Sequence, residues 1–282
     1  MIRPVVIIGA PRSGTNMLRD VLTRLPGVAT WPCDEINFVW RHGNREQPSD
    51  ELDYTLATER VRSYIRRQFG WVARRFSATT VVEKTCANSL RVPFVSQVLP
   101  EARYLFIRRN GIDAAISALN RWDASTDLRY LVRKARFIPR SDIPHYAGRF
   151  VTNRLRRAQG TGTFAGWWGP RLVDSEQLLQ RYALDEVCAL QWQRCVEAST
   201  AALEAMPPER VLELSYEDFV AQPHAVLART LDFLGHAGPA APALVRDVSA
   251  TSVGKGRKAL TPDRQIHLET LVEPTLRRFG YV

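Results

Sequence analysis

Three cations stand after runs rich in apolar residues in this chain. Arg12 follows Val5-Val6-Ile7-Ile8, Lys84 follows Thr80-Val81-Val82-Glu83, and Arg109 follows Tyr104-Leu105-Phe106-Ile107-Arg108. Arg12 lies in a short loop between Gly9 and Gly14, with Pro11, the hydroxyls of Ser13 and Thr15, and then Asn16. Met17, Leu18, Val21, Leu22 and Leu25 recur beyond it at the spacing of one helical face. Strand, glycine-containing loop and helix in that order form a phosphate cradle. The first N–H groups of a helix lack intrahelical partners, and the helix dipole favours an anion there. Arg109-Asn110-Gly111 leads into Ile112–Ser117 and repeats the logic: a cation and a helix start converge on a second anion. Lys84 supplies a point charge suited to oxygens that gain charge during a transfer.

An acceptor in such a reaction must lose a proton to a nearby carboxylate or imidazole. Asp34 and Glu35 follow a short extended piece, Val28–Trp31, and acidic residues past a strand end are well placed in a cleft. His42 is the nearest histidine to a motif, in Arg41-His42-Gly43-Asn44, which reads as a solvated turn. Cys86, two residues after Lys84, reads as inert packing rather than a nucleophile.

The elements that must position these residues follow from periodicity and punctuation. Buried strands are expected at Val5–Ile8, Thr80–Glu83, Arg103–Arg108 and Val211–Leu214, with Val28–Trp31 as a further short piece. Helices are expected over Asn16–Leu25, Glu59–Phe76, Arg91–Leu99, Asp185–Met206 and Ala225–Leu234, the last closed by Gly235, with a final one from Pro262. Strands alternating with helices predict an α/β fold: a central parallel sheet of four to five strands flanked by helices, with ligands at the strands' carboxyl ends.

The nucleoside-triphosphate P-loop places a Lys directly after its second glycine. Here Thr15-Asn16 follows Gly14, and the cation has moved into the loop as Arg12. The stretch Pro11-Arg12-Ser13-Gly14-Thr15 resembles instead the 5′-phosphosulfate loop of sulfotransferases that use 3′-phosphoadenylyl sulfate (PAPS). Glu83-Lys84-Thr85 with Asn88 is similar to a stretch of the bacterial members, with Cys86 where Pro is usual. The eight-residue step from Arg109 to Ser117 matches the family's pair for the 3′-phosphate. Ser215-Tyr216-Glu217-Asp218 and Ser252-Val253-Gly254-Lys255-Gly256-Arg257-Lys258 extend the likeness towards the C-terminus.

The resemblance implies a P-loop-like sulfotransferase architecture that moves the sulfuryl group of PAPS in line to an acceptor hydroxyl, small-molecule or carbohydrate, leaving 3′,5′-ADP (PAP), with no metal. It implies that Arg12, Ser13, Gly14, Thr15 and Asn16 bind the 5′ side and that Arg109 and Ser117 bind the 3′-phosphate. Tyr216 would lie near adenine, and Ser252, Lys255, Gly256 and Arg257 would form a loop closing over adenine and the 3′-phosphate. Arg12, Lys84 and Glu35 would be catalytic. Glu35 follows Cys33-Asp34 much as a catalytic glutamate follows a Cys-containing turn in tyrosylprotein and some carbohydrate sulfotransferases. The imidazole that cytosolic small-molecule members carry two positions after the lysine is replaced by Cys86, so Asp34 and His42 stay open as alternative bases. Rival readings are a P-loop kinase or ATPase and a basic nucleic-acid binder.

At 282 residues, with 45% hydrophobic and 24% charged residues, the chain has the make-up of an ordinary globular protein and is read as one domain, 1–282. Its net charge of +10 is concentrated: Arg121 to Arg171 holds eleven Lys/Arg against three Asp. That basic segment, 123–171, is read as an insertion. It is either a solvated face or a surface towards an anionic ligand. It ends in Gly160–Arg171, where glycines and Trp167-Trp168 suggest a mobile cover over an acceptor, or a secondary packing cluster. No helix-turn-helix, zinc-finger or RNP-like pattern accompanies the charge, so no nucleic-acid partner is expected. No apolar run reaches membrane-span length and no signal peptide is apparent, so a cytoplasmic protein is expected. Cys33, Cys86, Cys188 and Cys195 suggest no disulfide framework, and five scattered histidines no metal site.

Overall fold

The structure, a computed structural model, describes residues 2–122, 137–144, 148, 167–236, 238 and 241–282. The basic segment therefore lies largely outside the described residues. Five strands form one sheet: β1 (Arg3–Ile8), β2 (Val28–Ala29), β3 (Thr80–Lys84), β4 (Arg103–Arg108) and β5 (Val211–Ser215). They run in the order β2-β3-β1-β4-β5, and every pairing is parallel. The expected architecture is present with five strands.

Period-2 alternation distributes the strand residues between two cores. Val6, Ile8, Val81, Tyr104 and Phe106 face one layer, with Trp40, Phe69 and Trp192. Val5, Ile7, Val82, Leu105 and Ile107 face the other, with Leu18, Leu22, Leu214 and Phe219. Each such side chain, fully buried, is worth about 1.5–3 kcal/mol in transfer terms, so register is strongly held. β1 pairs Val6 with Glu83 and Ile7 with Lys84, which puts Glu83 on the Val81 face and Lys84 on the Val82 face.

Among residues 2–122 the α-helices are α1 (Thr15–Leu22), α2 (Asn37–Trp40), α3 (Glu59–Arg75), α4 (Val92–Val98) and α5 (Gly111–Trp122). In α3, Val61, Ile65, Phe69 and Val72 are buried as their spacing requires, whereas Phe76 caps the helix and is exposed. A long helix, Leu184–Glu204, packs beside α5, and Pro223–Leu234 ends at Gly235 in the left-handed region, the cap expected there. α1 is shorter than its apolar spacing suggests; Leu25 is buried from the turn beyond it.

The chain leaving β1 runs towards the β2 edge, and the chain leaving β4 runs towards the β5 edge. The β1/β4 seam is thus where the strand order reverses, and open α/β sheets bind ligands in the crevice at that point.

Candidate active site at the carboxyl ends of β1, β3 and β4

The loop after β1 is held in an unusual backbone shape. Arg12 has φ 68° and Gly14 φ 89°, both left-handed. For arginine that conformation is costly, on the order of 1 kcal/mol or more. A Cβ on Gly14 would stand 2.5 Å from the Tyr216 ring, so only glycine fits between loop and ring. The loop presents α1 without a side-chain cap. Among the described residues the buried Ser13 hydroxyl and Asn16 amide oxygen have no partner. Buried polar atoms in native proteins are almost always satisfied, so an unpaired hydroxyl beside an uncapped helix start suits an anionic ligand.

The second corner comes from β4 and α5. Arg109 donates to the Arg12 carbonyl at 3.0 Å and to the Ser252 carbonyl, and its guanidinium lies 4.4 Å over the Tyr216 ring. Among the described residues its buried Nε has no partner, and neither does the Nε of Arg257. Arg12 donates from Nε to the Ser117 hydroxyl at 3.0 Å, joining the two corners. Burial, then Arg121 and Arg109, lower the Arg12 pKa from its ordinary value. A site with this surplus of positive charge is relieved by a polyanion.

The third cluster gathers at the end of β3. The buried Lys84 ammonium donates to Glu35 at 3.0 Å and to Asp34 at 3.2 Å. Burial alone would lower its pKa, but Glu35 and Asp34 outweigh it and hold the ammonium above its ordinary value. Glu35 also accepts the Cys86 backbone N–H at 3.3 Å. Asp34 is more tightly engaged. Arg19 donates to it at 2.7 Å, and although burial raises its pKa, Lys84 and Arg19 bring it below the usual carboxylate value. The Thr15 hydroxyl lies 3.8 Å from the Cys86 sulfur and ties this cluster to the first loop. Burial pushes the Cys86 thiol well up, which makes it the inert packing residue its apolar setting predicts.

A family model described as the sulfotransferase family matches residues 4–160 and 170–238. The chain belongs to the sulfotransferase family. Its sequence matches no curated protein. Among solved structures it is similar to the sulfotransferase domain of the Synechococcus PCC 7002 olefin synthase, with TM-score 0.53 and 15% identity over 97% of this chain and 94% of that domain. It is also similar to the sulfotransferase domain from the curacin biosynthetic pathway, with TM-score 0.52 and 14% identity over 93% and 83% of the two chains. A third is sulfotransferase STF9 from Mycobacterium avium, with TM-score 0.52 and 14% identity over 98% and 76%. At these identities the likeness is one of fold.

Within this sulfotransferase, some expectations need correction. Two amides at the start of α5 are not available to an anion, because the Asn110 side chain accepts the N–H groups of Ile112 at 3.1 Å and Asp113 at 3.2 Å. The charged donors at the second corner are side chains. Gly256 does not offer its N–H either; Asp113 takes it at 2.8 Å. Arg41-His42-Gly43-Asn44 is not a solvated turn. Arg41 is buried on Asp50 at 2.9 Å, while His42 pairs with Asp142 at 2.9 Å and stacks 3.9 Å from the Tyr64 ring. Lys255 is exposed, whereas Arg257 is half-buried.

Residues 160–166 of the expected cover lie outside the described residues. The stretch after them is packed: Trp167 meets Trp122 edge-on at 5.4 Å and donates to the Pro170 carbonyl at 2.7 Å, and Gln191 fastens the Trp168 and Pro170 carbonyls. Among the described residues, no helix is long and apolar enough to cross a membrane.

The buried polar net behind Lys84 escaped the sequence reading. Glu83 accepts from Thr85 at 2.5 Å and Asn88 at 2.8 Å. Thr85 in turn accepts the Ile36 N–H at 3.2 Å, which clasps the Asp34-Glu35 turn to β3. Arg91, fully buried, donates to Asn88 at 2.9 Å and Asn37 at 2.6 Å. Burial lowers its pKa to about 10 despite Asp50 nearby. Only the clustering of Glu, Thr, Asn and Arg over residues 83–91 signalled it.

Burial pushes the Glu83 carboxyl up to about 7, against the pull of Thr85 and Arg91. A carboxyl whose folded pKa exceeds its unfolded value adds stability below the unfolded pKa and loses it as pH rises through the folded one. The stability difference between the protein and Glu83→Gln should therefore shift by about 3 kcal/mol against the wild type from pH about 4.5 to about 8. Denaturant melts across that range test it; a difference that stays constant with pH would show Glu83 already ionised throughout.

Proposed function

We propose that this sulfotransferase carries the sulfuryl group of 3′-phosphoadenylyl sulfate to the hydroxyl of a small-molecule or carbohydrate acceptor. The observation that carries the donor's identity is the second cationic corner. Among the described residues Arg109 and Arg257 each bury a guanidinium Nε with no partner, and Arg109 reaches the Arg12 carbonyl of the phosphate-ready loop. One phosphate group would need the first corner alone; a bisphosphorylated nucleoside uses both. A nucleoside triphosphate fits less well, since Thr15-Asn16 occupies the place of the P-loop lysine and hydroxyl.

In this reading the start of α1, Ser13, Thr15 and Asn16 hold the 5′-phosphosulfate. Arg109, Ser117 and Arg257 hold the 3′-phosphate, beside Tyr216 and Ser252. Arg12 and Lys84 neutralise the charge that builds on the sulfuryl and bridging oxygens, in the manner of the cations that serve phosphoryl transfer. Glu35 takes the acceptor proton. The acceptor oxygen bonds to sulfur as the bond from sulfur to the phosphate oxygen breaks, and the electron pair leaves with 3′,5′-ADP. Glu35 fits better than Asp34, because Arg19 and Lys84 together hold Asp34 as a weak base. His42 is committed to Asp142 and Tyr64.

The test is transfer from sulfur-labelled PAPS to a panel of hydroxyl acceptors in the presence of a metal chelator. Labelled product without added metal is the expected result. Magnesium-dependent ATP hydrolysis with no labelled product would refute the reading.

A further inference from the structure

Asp113 is buried to 1% exposure in the first turn of α5, yet among the described residues its carboxylate serves neither its own helix nor a cation. Its carboxylate accepts three backbone N–H groups from a loop more than 140 residues away. Gly254 donates at 2.6 Å to one oxygen; Gly256 at 2.8 Å and Arg257 at 3.2 Å donate to the other. The fit is close. Gly254 turns in the left-handed region with φ 72°, and a Cβ on Gly256 would stand 2.7 Å from the Asp113 Cα and 3.0 Å from the Ile112 carbonyl. Asp113 is free for this task because Asn110 caps the start of α5 and Glu217 takes the Asn110 N–H at 2.9 Å.

The latch also sets a geometry. Ser252, just before it, accepts from Arg109, and Arg257, just after it, buries an unpartnered Nε. The Asp113 carboxylate occupies the Gly256 and Arg257 N–H groups in the first turn of the helix Lys255–Lys258, so a phosphate cannot use those two. The guanidinium groups of Arg109 and Arg257 are the charged donors left to an anion here.

We propose that Asp113 is a positioning residue: it latches the Gly254–Arg257 loop onto α5 so that Arg257 joins Arg109 in reading the 3′-phosphate of the nucleotide. The proposal rests on the bisphosphate reading of the site. Selectivity for the 3′-phosphate then depends on a residue that does not touch it.

The experiment compares 3′,5′-ADP with 5′-AMP by calorimetry on the wild type, Asp113→Asn and Gly256→Ala, and follows amide hydrogen exchange at 254–257. Asn keeps one acceptor oxygen and loses the charge; the Gly256 variant opens the same contact from the loop side. Both should weaken 3′,5′-ADP about 10–100-fold, leave 5′-AMP within a few fold, and speed exchange at the three donor amides. If both nucleotides weaken together, or exchange is unchanged, the latch is wrong. A wild type with no preference for 3′,5′-ADP would instead overturn the donor assignment, and with it the phosphate-reading role, whatever exchange shows. Should one variant fail to fold, the other carries the comparison.

Discussion

Replacing Glu35 by Gln should cut turnover about 10²–10⁴-fold, the usual worth of a positioned general base, with 3′,5′-ADP affinity nearly unchanged. The expectation rests on placement. Glu35 sits 3.0 Å from the Lys84 ammonium and takes the Cys86 N–H, at the end of the strand beside the phosphate loop. Gln keeps the size and the hydrogen-bond acceptor and loses the proton acceptor. It also removes one anionic partner of Lys84, so Asp34→Asn is the control: it removes the other partner and should cost much less. The pH–rate profile separates the two effects, since only loss of the base removes its acidic limb. If Glu35→Gln keeps wild-type turnover on the true acceptor, or Asp34→Asn proves the more damaging change, Asp34 or His42 is the base.

Arg109→Ala should weaken 3′,5′-ADP by about 2 kcal/mol or more, the scale of a charge-assisted hydrogen bond removed from a buried site, while 5′-AMP barely changes. Arg109 also supports the Arg12 carbonyl and stacks on Tyr216. The 5′-AMP measurement guards against a collapsed loop, which would harm both ligands. Arg109→Lys should recover only part of the affinity, because an ammonium keeps the charge but lacks the planar fork. Calorimetry showing equal weakening of both nucleotides would assign Arg109 a structural role alone.

Much of this was legible from local pattern. The apolar runs ending at Ile8, Glu83 and Arg108 gave their strands because a strand buried on both faces needs little else. The loop around Arg12 and Gly14 was legible because glycine, a cation and hydroxyls between a strand and a helix form a local pattern. What stayed hidden depends on distant pairing. Asn110 at the start of α5 and Asp113 three residues on have the spacing of a reciprocal helix cap. In the fold, Glu217 takes the Asn110 amide, and Asp113 turns to a loop that only the tertiary structure brings near. The net from Glu83 to Arg91 and Asp50 left only a cluster of polar residues in the sequence, because burial decides its roles and burial of charged residues has no periodic signature.

The measurement closest to the central claim is the stabilisation of the protein by 3′,5′-ADP and by 5′-ADP, side by side in excess chelator. Ligand at about a hundred times its dissociation constant adds about 2.7 kcal/mol. For a protein of this length that is a rise in Tm of roughly 5–10 °C. Such a rise is expected with 3′,5′-ADP and a much smaller one with 5′-ADP at the same concentration. Equal shifts from the two nucleotides, or a shift that needs magnesium, would contradict a site built for a 3′-phosphate.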